Sequence, residues 1–175
     1  MINLYYWQFL IAVSVVWFLV RLICNLKSKS FSFKSELSLF TVYICLLVLG
    51  RFTFFPFFRV DGEIQPLVLD FNNIFNFKIN LIPFIHLKNY NINDEIILNL
   101  VGNYLMFLPI GIVWPSVFKR LNTPLKVILS GIGFSLLIEI LQLPFYSRVT
   151  DIDDFVLNSA GYITGYVIYL IFRKR

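Results

Sequence analysis

The residues able to do chemistry fall into a few short groups along the chain. Arg51 stands alone, Asn99 precedes Asn103 by four positions, Glu139 precedes Gln142 by three, and Asn158 closes a run holding Arg148, Asp151, Asp153 and Asp154. Residues three or four apart share a helix face. Asn99 with Asn103, Glu139 with Gln142, and Asp154 with Asn158 can therefore each point one way. An arginine fork holds phosphate or carboxylate in a bidentate grip, and amide side chains add neutral hydrogen bonds. Carboxylates supply a general acid or base, and Asp, Glu and Asn oxygens suit hard cations such as calcium or magnesium. The Asp-x-Asp-Asp spacing alone is a weak metal signal, and Asp153 or Asp154 serves equally well as a helix cap. The lone His86 is the only side chain whose ordinary pKa suits neutral acid–base work. Its apolar setting, Leu81-Ile-Pro-Phe-Ile-His86, favours a structural or interfacial role. No Ser/His/Asp order, zinc spacing or phosphate-binding loop occurs.

What positions these groups is set by composition. The 175 residues are 58% hydrophobic and 14% charged, with a mean hydropathy of +0.77, where a soluble domain is about 45–50% apolar and about 25% charged. A soluble fold of this length cannot hide so much apolar side chain, so its solvent is lipid. A bilayer core of about 30 Å needs roughly 20 apolar residues in a helix. The stretches 4–24, 37–55, 96–118, 125–145 and 155–172 meet that demand. Continuous apolar runs, rather than alternation, predict helices and exclude a barrel. The expected fold is an all-α membrane protein: a five-transmembrane-helix bundle, one domain over residues 1–175, with a long extracellular loop between helices 2 and 3.

Neither Lys nor Arg precedes the first run, which therefore reads as a retained helix and not a cleaved secretion signal. Cys24 and Cys45 lie in apolar stretches and read as buried thiols. The net charge of +5 comes without a solvent-facing basic patch interleaved with aromatics, which argues against nucleic acid as a partner.

Lys and Arg set the orientation. Arg21, Lys27, Lys29 and Lys34 flank the first connection, Lys119, Arg120 and Lys126 the third, and Arg173, Lys174 and Arg175 end the chain. Placing these clusters inside puts ten of the fifteen basic residues there and, of the ten acids, Glu36 alone. The chain is thus expected in the plasma membrane with its N-terminus outside and its C-terminus cytoplasmic.

Pro109 with Gly111 predicts a bend within helix 3, and Pro115 either continues that helix or begins its exit. The connection 56–95 is too polar to span, with Arg59, Asp61, Glu63 and Asp70, yet it keeps apolar residues such as Phe71, Phe75 and Phe77. It is expected to dock partly on the bundle's outer surface. Gly161 and Gly165 form Gly-x-x-x-Gly on helix 5, where small residues let helices approach closely. Helix 5 is read as a central packing element that turns Asn158 inward, with dimerisation through the glycines as the alternative.

With that orientation, all the polar groups gather at the outer side. Counted along the helices, Glu139 and Asn103 sit ~10 Å below the outer surface. A carboxylate there needs a partner or a proton, and Arg51 and Arg148 are the cations within reach. Asn and Gln also join membrane helices as ordinary hydrogen-bonding glue. Glue, however, has no reason to favour one half of the membrane, and the inner half reads as inert.

The same residues resemble the VanZ-like family. The resemblance rests on Asn99-Leu-Val-Gly-Asn103, Phe107-Leu-Pro-Ile-Gly111, Glu139-Ile-Leu-Gln142, Arg148, Asp151-Ile-Asp-Asp-Phe-Val-Leu-Asn158 and Gly161, with Leu81-Ile-Pro-Phe84 upstream. It implies a setting, cell-surface resistance to teicoplanin-type lipoglycopeptides or cell-envelope homeostasis, without a reaction or a cofactor. Two functions compete. In the first, an outer-leaflet pocket of Arg51, Asn99, Asn103, Glu139, Gln142, Arg148, Asp151, Asp154 and Asn158 binds a membrane lipid headgroup, a lipid-linked cell-wall precursor or the lipoglycopeptide itself. In the second, Glu139, Asp151, Asp153 and Asp154 serve an enzyme acting on a lipid-linked phosphate or ester, with or without a metal. A transporter is disfavoured, since the chain has no internal repeat and no charge in the inner half of helices 3 to 5.

Overall fold

A computed structural model describes residues 1–28, 32–55, 60–69, 78–83 and 94–173. His86, Arg59, Asp70, Phe71, Phe75, Phe77, Lys29, Lys174 and Arg175 lie outside the described residues. Each long apolar run is one helix. These are α1 (Tyr6–Ser28), α2 (Phe33–Phe54), α3 (Asp94–Val117), α4 (Pro124–Gln142) and α5 (Ile152–Arg173). All five are long and apolar enough to cross a membrane. Consecutive helices run antiparallel, so the polar groups collect at one end of the bundle.

Local chemistry explains where the helices stop. α4 ends three residues before the expected Phe145. Pro144 has no N–H to give to Ile140, and Leu143 donates to that carbonyl in a tighter turn at 3.3 Å. At the other end of α4, Thr123 accepts a cap bond from the Lys126 amide at 3.4 Å, and Pro124 occupies the first turn, where no amide is needed. α5 starts earlier than the expected Phe155. Its cap is Asp151, whose Oδ1 accepts from the Asp153 amide at 2.9 Å. Asp153 and Asp154 are therefore not caps but occupy the first turn, where negative charge suits the helix dipole. Pro109 and Pro115 both lie inside α3, which runs on to Val117, so Pro115 does not end it.

The seam between α3 and α5 is the closest in the bundle. A Cβ at Gly161 would stand 2.0 Å from the Tyr104 carbonyl oxygen, and one at Gly165 would stand 2.1 Å from that of Leu108. Gly111 on α3 answers with the same proximity to the Tyr162 carbonyl oxygen, 2.0 Å. The glycines are thus filled from within the chain, as the central role of α5 requires. Around the seam, Leu49, Phe107, Ile110, Val127, Ile138, Tyr162 and Tyr166 form the core.

α1 is peripheral, with none of its described side chains buried. Its first turn is the exception to loose packing: Tyr6 and Phe9 pack edge-on against Phe55, which is fully buried. Cys24 is exposed on the helix surface and Cys45 half-covered, so neither is the fully buried thiol expected.

Among the described residues, four short strands, unsignalled by any periodicity, tie the connection between α2 and α3 onto the polar end. β1 (Ile2–Leu4) pairs antiparallel with β2 (Leu67–Leu69). β3 (Ile79–Asn80) pairs in parallel with β4 (Thr150–Asp151), just before α5. Asp61 and Gly62, both with positive φ, close a small turn between Val60 and Glu63.

Candidate functional site

The polar end is built from buried stripes. On α3 the stripe runs Asn103, Phe107, Ile110 and Gly111; on α4 it runs Ser135, Ile138, Glu139 and Gln142; on α5 it runs Asn158, Ser159, Gly161 and Tyr162. Spacings of three and four place each set on one face. Asn103, Glu139, Gln142, Asp151, Asp153 and Asn158 are all less than a tenth exposed.

These groups form two connected networks. In the first, carboxylates from α4 and α5 meet amides. Asn103 Nδ2 donates from α3 to Asp154 Oδ1 on α5. The Asp151 amide donates to Glu139 Oε2 at 3.2 Å, and the Thr150 hydroxyl donates to the Glu139 carbonyl at 3.0 Å. Asn80 Nδ2, from β3, donates to Asp151 Oδ2 at 3.0 Å. Glu139, Asp151 and Asp154 lie close enough to interact electrostatically. Among the described residues, no three His, Cys, Asp or Glu side chains converge in a way that would hold a metal ion.

The second network closes the end of α2. A helix leaves its last carbonyls without intrahelical partners. Here Gln142 Nε2 donates to the Thr53 carbonyl at 2.6 Å, Arg148 Nε to that of Phe54 at 2.7 Å, and Arg51 Nη1 to that of Phe55 at 3.5 Å. Cations at a helix C-terminus also meet the negative end of its dipole. Arg51 further lies over the rings of Tyr6 and Phe52. Neither arginine is the partner of Glu139, whose carboxylate instead takes the Asp151 amide. Asp154 is the acid that faces Arg148 electrostatically. Burial pulls the Arg148 guanidinium down to about 10, Asp154 opposes this, and neighbouring Arg51 adds to it. The side chain stays charged at neutral pH.

Some polar atoms stay unmatched. Gln142 Oε1, Arg148 Nη2, Asn158 Oδ1 and Ser159 Oγ are buried without a hydrogen-bond partner among the described residues. Gln142 and Arg148 grip consecutive carbonyls, those of Thr53 and Phe54, through one nitrogen each.

Of the nine residues expected from sequence to line an outer pocket, eight belong to these networks or stripes: Arg51, Asn103, Glu139, Gln142, Arg148, Asp151, Asp154 and Asn158. Asn99 does not, because it lies one turn beyond Asn103 and is exposed. Ser135, Ser159, Thr53 and Asn80 were missed. Ser135 lies one turn before Glu139 and Ser159 beside Asn158, so spacing alone could have found both. Asn80 and the Thr53 carbonyl are joined to the site only through the tertiary fold. The opposite end is not inert either. Arg21 on α1 forms a two-pronged ion pair with Glu36 on α2, with Nε donating to Oε2 at 3.0 Å and Nη2 to Oε1.

Five spanning helices with a buried polar cluster at one end define a multi-pass membrane protein. The chain belongs to the VanZ/LLP1 family, whose model matches residues 40–173. That segment contains every hydrogen-bonding residue of the two networks and leaves α1, with Tyr6, outside. No curated protein and no solved structure matches the chain.

Proposed function

We propose that the polar cluster faces the outside of the cell and binds the anionic headgroup of a lipid or lipid-linked ligand. In this reading the protein contributes to tolerance of teicoplanin-type glycopeptides or lipoglycopeptides, or to envelope homeostasis. The observation that carries the reading is the set of buried atoms with no partner among the described residues. Arg148 Nη2 offers a charged donor, while Gln142 Oε1 and Asn158 Oδ1 offer acceptors for hydroxyl or amide hydrogens. Buried polar groups in native proteins are almost always paired, so a phosphate or carboxylate bearing neighbouring hydroxyls or amides is the complementary ligand. The outward orientation is supported by Arg21, Lys27, Lys34, Lys119, Arg120, Lys126 and Arg173 at the other end of the helices. The occupant is a membrane lipid, a cell-wall precursor or the lipoglycopeptide.

The test is antibiotic susceptibility in cells expressing the wild type, Asn158→Leu or Arg148→Gln at matched membrane levels. Loss of glycopeptide tolerance in both variants, with their melting temperatures in detergent within a few degrees of wild type, supports the pocket. Undiminished tolerance in both rejects it.

A second reading is favoured by one further observation, the meeting of Glu139, Asp151 and Asp154 beside the Asn103 amide. It makes the protein a membrane enzyme acting on a lipid-linked phosphate or ester, with one carboxyl as acid or base. Purified protein that turns over a polyprenyl or glycerophospholipid phosphate, and loses that turnover in Glu139→Gln, would select it.

A further inference from the structure

At the opposite end, α1 and α2 line a lateral groove of about 650 Å³. Ser14, Trp17, Phe18 and Leu22 form one wall, and Phe33, Leu37, Phe40 and Tyr43 form the other. The floor is fixed by a Ser14–Tyr43 hydroxyl bond of 2.6 Å and by Trp17 tilted on Tyr43, ring centroids 5.6 Å apart. Towards the helix ends the lining turns polar, with Arg21, Asn25 and Glu36. Lys27 and Lys34, both exposed, lie at the same end in the last turn of α1 and the first turn of α2. All the lining residues except Phe40 and Tyr43 precede the segment matched by the family model.

Three features decide what fits. The groove lies between two membrane spans and is apolar along most of its length. From Ser14 to Asn25 it covers roughly 17 Å at the helical rise, about half of the ~30 Å hydrocarbon core and so one leaflet deep. Its mouth is cationic: Arg21, Lys27 and Lys34 outweigh Glu36. Arg21 gives Nε and Nη2 to Glu36 and Asn25, which leaves Nη1 without a protein partner among the described residues.

We propose that this groove seats an anionic phospholipid, with an acyl chain along Trp17, Leu22, Leu37 and Phe40 and its phosphate at Arg21 between the two lysines. A second helix or a second copy of the chain would cover the apolar walls but leave the cationic mouth unmatched. The lipid matches both. Each lysine near a membrane surface strengthens attraction to anionic lipid by about fivefold.

Trp17 lines the groove and reports its occupant. The full-length protein is placed in phosphatidylcholine vesicles carrying brominated phosphatidylglycerol or, at equal mole fraction, brominated phosphatidylcholine. The expected result is stronger quenching by the phosphatidylglycerol, with the excess lost in Trp17→Phe and in Lys27→Gln/Lys34→Gln. Native mass spectrometry checks the same preference without a tryptophan variant. The wild type is expected to retain phosphatidylglycerol over phosphatidylcholine, and the lysine double variant roughly 25-fold less. Equal quenching by the two lipids, an excess surviving either variant, or retention that ignores headgroup charge overturns the proposal.

Discussion

Asn103 and Asp154 show how much a single side chain is asked to do at the polar end. The Asn103 amide crosses from α3 to a carboxylate on α5, next to two further acids. A hydrogen bond between membrane helices contributes about 0.6 kcal/mol on average and up to ~1.7, and the burial of Asn103 places this one near the top of that range. Asn103→Ala is therefore expected to lower stability by about 1–2 kcal/mol in a detergent unfolding titration. A double-mutant cycle with Asp154→Asn should return coupling of the same order; additivity of the two changes would show that the bond contributes nothing. The burial of Asn103, Glu139, Gln142 and Asn158 was legible in sequence because each sits on a helical stripe with apolar or small residues. The partners were not. Sequence paired Glu139 with an arginine, whereas the folded chain brings it the Asp151 amide, because the turn before α5 folds back over the end of α4. That turn is invisible to spacing.

Helices carry the next set of consequences. Gly161 faces the Tyr104 carbonyl on α3, whereas Gly133 on α4 has open space around it. Gly161→Ala should cost about 1–3 kcal/mol by forcing the α3–α5 seam apart. Gly133→Ala should be neutral or stabilise by up to ~1 kcal/mol, since alanine is the better helix former. Melting temperatures of the two variants in one detergent check the contrast, and equal effects would mean the seam is not as tight as drawn. The five spans were legible to within a few residues because hydropathy is a summed property. Their ends were less so. Pro144 stops α4 and Asp151 starts α5, and each acts through one hydrogen bond rather than through composition. Of the side chains that close the end of α2, only Arg51 belongs to α2 itself; Gln142 and Arg148 come from α4 and the segment after it, so nothing within α2 could announce those two.

For the whole molecule, the direction of insertion is the property on which both readings of the site depend. With Cys24 and Cys45 replaced by serine, a single cysteine at Ser147 should react with an impermeant maleimide in intact cells. One at Asn122, in the turn between α3 and α4, should react only after permeabilisation. Both positions are exposed, so the labelling pattern reads topology and not burial. The reverse pattern would turn the polar cluster towards the cytoplasm and withdraw the outer-leaflet ligand. Charge asymmetry made this expectation legible. The strands that bind the α2–α3 connection to the polar end were not, being two or three residues long and paired only with distant segments.

The glycine seam bears on motion. Two helices in backbone contact along Gly111, Gly161 and Gly165 cannot slide or tilt past one another without clashing, so α3 and α5 behave as a single strut. Any breathing that admits a bulky molecule to the polar end must then come from α2 and α4, which are joined there by the Gln142 amide, with the Arg148 guanidinium adding a tie from the segment after α4. A cross-link locking α4 to α2 should trap the protein closed, whereas one between α3 and α5 should leave its gate free.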